Sequence, residues 1–271
     1  MKMELNCGRN ALAYLIKANN IQKILMPKFM CDSCNKVLQD NNICVRYYSI
    51  GLDFKPQNVN QEQDEWLYIV NYYGQLINEY LKSIKGRRFI VDNAQAYFQQ
   101  PIKNVNTLYT CRKFFGVADG AILYADNKIE IKEQDQSYER MHFLLGRYEK
   151  TALEFYQEYV ENNHFFANES IKKMARLTDN LLHALDYDNI RRIRTKNFEY
   201  LNKKLQDINL CKLIVPEGAY AYPLYIENGA VIRKMLQEKK YIYQHYGQQF
   251  LNCADKMSWN IKWQKIYCHC Q

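Results

Sequence analysis

The chain has 271 residues, 48% of them hydrophobic and 24% charged, with a formal net charge of +8. These values suit a globular protein of one large domain, or one large and one small, and exclude a disordered chain. No apolar run reaches the ~18 residues of a membrane span, and the opening MKMELNCGRN lacks the apolar stretch of a secretory leader. The positive charge favours anionic ligands, but Lys and Arg are scattered rather than blocked, which argues against nucleic acid. The expectation is a cytoplasmic protein with neither a membrane nor a nucleic-acid partner.

Gly8 precedes a stretch with helical apolar spacing, RNALAYLIKAN (9–19). KILMP, closed by Pro27, reads as a short strand, 31–41 as a helix and ICVRYYSI as a second strand. Cys31 and Cys34 form a C-x-x-C in that helical stretch, and Cys268 and Cys270 lie at the far end. With nine cysteines, five scattered histidines and no second C-x-x-C at finger-like spacing, the chain reads as carrying reduced thiols and no metal site, with Cys31 and Cys34 buried. WLYIVNYYG (66–74) and RFIVDNAQ (88–95) are further apolar runs, ending in Gly74 and around Asp92; TLYTC and AILYAD follow. Short, doubly buried strands alternating with helical stretches indicate an α/β protein with a mostly parallel sheet. From about 133 to 207 the spacing predicts long helices, in HFLLGRYEKTALEFYQEYVENNHFF and ESIKKMARLTDNLLHALDYDNIRRIRTKNFEYLNKKL. YAYPLYI (220–226) then reads as a strand, VIRKMLQEKK as a helix and YIYQHY as an extended piece. We therefore expect a large α/β domain over 1–190, with connecting helices, and a smaller α/β domain over 191–271.

Ligands of open α/β sheets bind at the carboxyl ends of the strands. Four polar features fall there or at a helix start: Gly8-Arg9-Asn10, Asn71 to Gly74, Asp92 with Gln95, and Thr110 to Lys113. An anion at Gly8–Asn10 meets unpaired N–H groups and the positive end of a helix, and Arg9 adds a charge. Taken singly, each feature has a plainer use. Lys113 can be a surface lysine, Asp92 a helix cap, Thr110 a turn residue, and Tyr72 and Tyr73 packing residues. His245 stands alone. Taken together, a phosphate cradle, an acid and a primary amine match the needs of pyridoxal phosphate, whose ring nitrogen takes a carboxylate and whose carbonyl takes a lysine.

VDNAQ, followed about twenty residues later by RKFFGVADGAILY, resembles the DegT/DnrJ/EryC1/StrS family of pyridoxal-phosphate sugar aminotransferases. CGRNAL resembles that family's phosphate-binding segment, VNYYG its strand ending in an aromatic and Gly, and RRIRTKNFEYLNKKL its long helix into the small domain. The resemblance runs over most of the chain. It implies fold type I, with Lys113 as the Schiff-base lysine, Asp92 on the pyridine nitrogen and Gln95 beside the ring hydroxyl. It places Gly8, Arg9, Asn10 and Thr110 around the phosphate. It further implies a homodimer acting on a keto sugar, nucleotide-linked, with glutamate as amino donor, in polysaccharide or glycan biosynthesis. Cys31 stands where the family often has an aromatic or histidine, Ala118-Asp119-Gly120-Ala121 replaces its G-E-G-G turn, and its N-Y-R segment has no counterpart. IKWQKIYCHCQ resembles the start of the family's last strand, so the resemblance describes a short or C-terminally truncated member. The alternative is a non-catalytic relative that keeps the fold and the cofactor or a structural role.

Overall fold

A computed structural model describes residues 1–84, 87–227, 229–238 and 264–266. The strands are β1 (Lys2–Leu5), β2 (Lys23–Pro27), β3 (Cys44–Ile50), β4 (Pro56–Gln57), β5 (Trp66–Val70), β6 (Phe89–Asp92), β7 (Asn106–Thr110), β8 (Ala121–Tyr124), β9 (Tyr222–Leu224) and β10 (Gln264–Ile266). The helices are α1 (Gly8–Ala18), α2 (Asp32–Asp40), α3 (Asn78–Ser83), α4 (His142–Gly146), α5 (Tyr156–Phe165), α6 (Arg176–His183), α7 (Tyr187–Leu205) and α8 (Gly229–Glu238).

Eight strands form one sheet in the order β1-β8-β7-β6-β5-β2-β3-β4. The five from β7 to β3 run parallel; β8 and β4 run opposite to them, and the edge strand β1 pairs antiparallel with β8. The mostly parallel α/β sheet expected from the sequence is therefore present. Its central strands are apolar runs because helices or chain cover both faces: Leu67 to Val70 and Ile90 to Asp92 are all buried. From β2 the chain steps to β3 on one side and returns to β5 on the other. The order thus reverses between β2 and β5, and a crevice opens at such a reversal, beyond the carboxyl ends.

Helix α1 is buried along Asn10 to Ile16 and lies against β1, β7 and β8. Each fully covered Leu, Ile or Tyr there contributes about 1.5–3 kcal/mol through lost apolar exposure, and this burial outweighs the lack of an acidic residue in its first turn. A second apolar cluster gathers Phe114, Phe115, Tyr109, Tyr220 and Leu182; a third joins Phe198, Ala219, Tyr222, Leu224 and Ile226 beside α7. β9 and β10 pair in a separate two-stranded sheet. Position 190, where the sequence suggests a division, falls inside α7.

The expected long helices between 133 and 207 are a correction: the region holds four helices, of which only α7 is long. The Phe155 ring occupies the space a side chain on Gly146, the last residue of α4, would need. Between α5 and α6, residues 172–174 run extended beside β1, with Asn6 N–H bonded to Lys172 C=O and Met174 N–H to Glu4 C=O. Tertiary hydrogen bonds override helical spacing in that segment. Residues 241–246, including His245, and Cys268 and Cys270 lie outside the described residues.

Candidate functional site

Asp92 closes β6, Thr110 closes β7, and Cys31 follows β2 after three residues. All three lie at the carboxyl ends of the parallel strands. Lys113 follows β7 in a tight turn, where the Phe114 and Phe115 N–H groups both bond to Cys111 C=O. This turn accounts for the sequence RKFFG. Phe114 and Phe115 plunge into the second apolar cluster, with Phe115 4.7 Å from the Tyr97 ring and Phe114 5.5 Å from the Tyr220 ring. They pin the turn from below and leave Lys113 half-buried, its ammonium 5.5 Å from the Tyr220 ring centre. Arg194 clamps the same turn, donating to Phe114 C=O at 3.0 Å.

Asp92 is 6% exposed. One carboxylate oxygen accepts from the Tyr68 hydroxyl at 2.8 Å, the other from Ala94 N–H at 2.7 Å. Burial pushes its pKa above the ordinary carboxylate value; the Lys113 charge, Ala94 N–H and Tyr68 pull it back. Lys113 therefore lies close enough to act electrostatically on Asp92, although twenty-one positions separate them. Gln95 is buried and its side-chain carbonyl accepts from Tyr73 N–H at 3.1 Å. Tyr73 has φ +55°, a left-handed conformation that this bond helps hold. Tyr72 and Tyr73 are packing residues, as expected: Tyr72 stacks on Phe29 and Tyr73 meets Phe54 edge-on.

At the start of α1, a Cβ added to Gly8 would stand 3.8 Å from Thr110 Cβ, so the helix N-terminus and the β7 end adjoin. Arg9 donates to Asn163 C=O at 3.0 Å, and Arg112 to the Asn163 side-chain oxygen at 2.8 Å. The Arg112 guanidinium lies 4.6 Å from the Phe166 ring centre, and its buried Nε makes no hydrogen bond among the described residues. Burial lowers the Arg112 pKa. Two guanidiniums thus approach a helix N-terminus, and neither makes a salt bridge to a carboxylate among the described residues. The Asn10 side chain is turned away, bonded to Asn6 and to the Glu169 and Ser170 carbonyls, which leaves only its main chain at the helix start.

Cys31 and Cys34 are not buried: Cys31 is exposed and Cys34 half-buried. Cys31 occupies the N-cap position of α2 without a side-chain capping bond, and its sulfur lies 3.5 Å from that of Cys34 and 3.1 Å from Ser33 Oγ. The structure thus adds Tyr68 and Asn163 to the neighbourhood expected from sequence, and gives Arg112, inside the Thr110 to Lys113 feature, a contact there. Tyr68 and Asn163 come into place through pairings between distant segments.

No protein-family model matches the sequence, and no curated protein does. Solved structures do match the fold. A DegT DnrJ EryC1 StrS aminotransferase from Brucella abortus is 13% identical, with a TM-score of 0.55, covering 90% of this chain and 70% of its own. Helicobacter pylori PseC, an aminotransferase involved in the biosynthesis of pseudoaminic acid, is 12% identical, with a TM-score of 0.58 and coverage of 98% and 81%. NtdA from Bacillus subtilis, solved with bound cofactor PMP, is 12% identical, with a TM-score of 0.61 and coverage of 90% and 60%. The chain has the fold of these aminotransferases, the fold type I architecture that the sequence resemblance implied.

Proposed function

We propose that the protein is a pyridoxal-phosphate-dependent aminotransferase acting on a keto sugar. The observation that carries this reading is the convergence of Lys113 and Asp92, from two adjacent strand ends, to within electrostatic reach of one another. A primary amine facing a buried carboxylate, on this fold, suits a cofactor that bonds to the amine and presents a cationic ring nitrogen to the acid. The start of α1 suits its phosphate: among the described residues the Arg9 and Arg112 guanidiniums there have no carboxylate partner, and the buried Arg112 Nε makes no hydrogen bond. The residues present therefore fit the group.

Bound there, pyridoxal phosphate supplies an electron sink for the carbon that carries the amino group. Lys113 would hold the cofactor carbonyl, and its amine would carry a proton to and from the substrate carbon. Asp92 would keep the ring nitrogen protonated, its two oxygens held in place by Tyr68 and Ala94 N–H. Gly8, Arg9, the Asn10 main chain and Thr110 would hold the phosphate, with Arg112 as a further cation. Gln95 would stand by the ring while fixing Tyr73. The sugar substrate rests on the family resemblance and on neighbours named as sugar aminotransferases; its nucleotide linkage, glutamate as donor and the homodimer rest on the family resemblance, and the two-domain division at 190 on the sequence pattern. Among the described residues no helix is long and apolar enough to cross a membrane.

The test is reconstitution with pyridoxal phosphate, an absorbance spectrum, borohydride reduction and peptide mapping. The expected label is on Lys113. A label on another lysine, or no uptake by the folded protein, overturns the reading and favours a relative that keeps only the fold.

A further inference from the structure

We propose that Cys31 and Cys34 form a reversible dithiol–disulfide couple at the mouth of the site, with Cys31 as the attacking thiolate and Cys34 as the resolving thiol, and that its state sets the charge facing Lys113. The inference goes beyond the aminotransferase reading and stands without it. Four observations carry it. The sulfurs are 3.5 Å apart, so a bond between them needs only a small side-chain movement. Cys31 is exposed, open to a reagent, while Cys34 sits behind it, half-buried. Cys31 is the N-cap of α2, a nine-residue helix whose first-turn N–H groups favour a negative charge. Ser33 Oγ, 3.1 Å from the Cys31 sulfur, can donate to a thiolate.

The electrostatics divide the two roles. The Cys34 hydrogen bond, then Ser33 and the Lys113 charge, hold the Cys31 thiol well below its usual value despite desolvation. The same hydrogen bond and burial push Cys34 well above its own. The groups facing the pair from the surrounding strand ends are Lys113, Asp92, Tyr68 and Tyr72; a Cys31 anion raises the pKa of the last three. Lys113 is the one cation in this set.

The oxidant is a low-molecular-weight disulfide. The Cys31 thiolate attacks one of its sulfurs, forming a mixed disulfide and expelling one small thiolate. Cys34 loses its proton to solvent and attacks the Cys31 sulfur, expelling the second. One sulfur–sulfur bond breaks in the reagent and one forms in the protein, and two electrons pass to the reagent. Oxidation removes one negative charge from beside Lys113 and leaves Asp92 as its counter-ion.

The test uses the full chain, iodoacetamide and glutathione redox buffers, read by peptide mapping. Cys44, exposed on β3, is the internal comparator. At pH 7 Cys31 is expected to alkylate about tenfold faster than Cys44. Cys34→Ser and Lys113→Gln should each slow it severalfold, and oxidised glutathione should yield a Cys31–Cys34 linked peptide that dithiothreitol reverses. Equal rates at Cys31 and Cys44 in the unmutated protein, or oxidation that links Cys31 to a different cysteine, overturn the proposal. Neither readout involves pyridoxal phosphate, so failure of cofactor uptake leaves this result standing, and the converse also holds.

Discussion

Asp92 shows what a single side chain contributes at the strand ends. Its burial disfavours the carboxylate, and Lys113, Ala94 N–H and Tyr68 together restore it only in part. A cationic ring nitrogen would complete that compensation. Asp92→Asn keeps an oxygen for Tyr68 or Ala94, so the fold should survive, while the charge that holds the ring proton is lost. The cofactor's half-reaction with glutamate, followed by absorbance, should slow by about 2–4 kcal/mol of barrier, the scale of losing one preorganised electrostatic partner. Tyr68→Phe removes one hydrogen bond to the same carboxylate and should cost less, about 1–3 kcal/mol. Unchanged rates in Asp92→Asn would remove Asp92 from the mechanism. Asp92 was legible in the sequence because a carboxylate at the end of an apolar run, three residues before Gln95, is a local signal. Tyr68 was not, since a tyrosine inside a buried strand looks like packing until its hydroxyl is seen on Asp92.

The element that positions Lys113 is the turn between β7 and β8, and it depends on Gly120. That residue has φ +112°, and an added Cβ would meet Cys111 Cβ at 3.1 Å and Thr178 Cγ2 at 3.2 Å. Its N–H bonds to Asn6 C=O and its C=O to Cys111 N–H. Asp119 beside it accepts from Ala175 N–H at 2.8 Å and from the Thr178 hydroxyl, tying the turn to the start of α6. Gly120→Ala should destabilise the protein by about 1–3 kcal/mol, the cost of a side chain in a sparsely allowed backbone region, measurable by denaturant unfolding. An unchanged midpoint would contradict the strain. The strands and α1 were readable because period and apolar continuity are local properties. The break between α5 and α6 was not, because the bonds that impose it reach from residues 172–175 to Glu4, Asn6 and Asp119. The Cys31 and Cys34 pair was visible as a spacing, whereas its exposure and its place opposite Lys113 required the fold.

At the scale of the molecule, the aromatic residues make up 14% of the chain, with 23 tyrosines. Many pack inward, in the cluster of Tyr97, Tyr109, Tyr187 and Tyr220 around Phe114 and Phe115. Others face solvent, among them Tyr148, Tyr138, Tyr200 and Tyr156. Exposed tyrosines are enriched at interfaces and two-fold dimers are the commonest soluble assembly. Sedimentation over a concentration series should give the mass of two chains; a monomer that still takes up pyridoxal phosphate on Lys113 would rule out a shared site. The sheet order has a consequence of another kind. β1 is the first strand in the sequence, yet its partner β8 ends at Tyr124, and residues 172–174 bond to its far end. On a ribosome adding ~5–20 residues per second, the first strand waits roughly 10–35 s before the chain that completes it emerges. Through that interval the start of α1 lacks Thr110, Arg112 and Asn163, so the corner they form is assembled only long after α1 itself has been made.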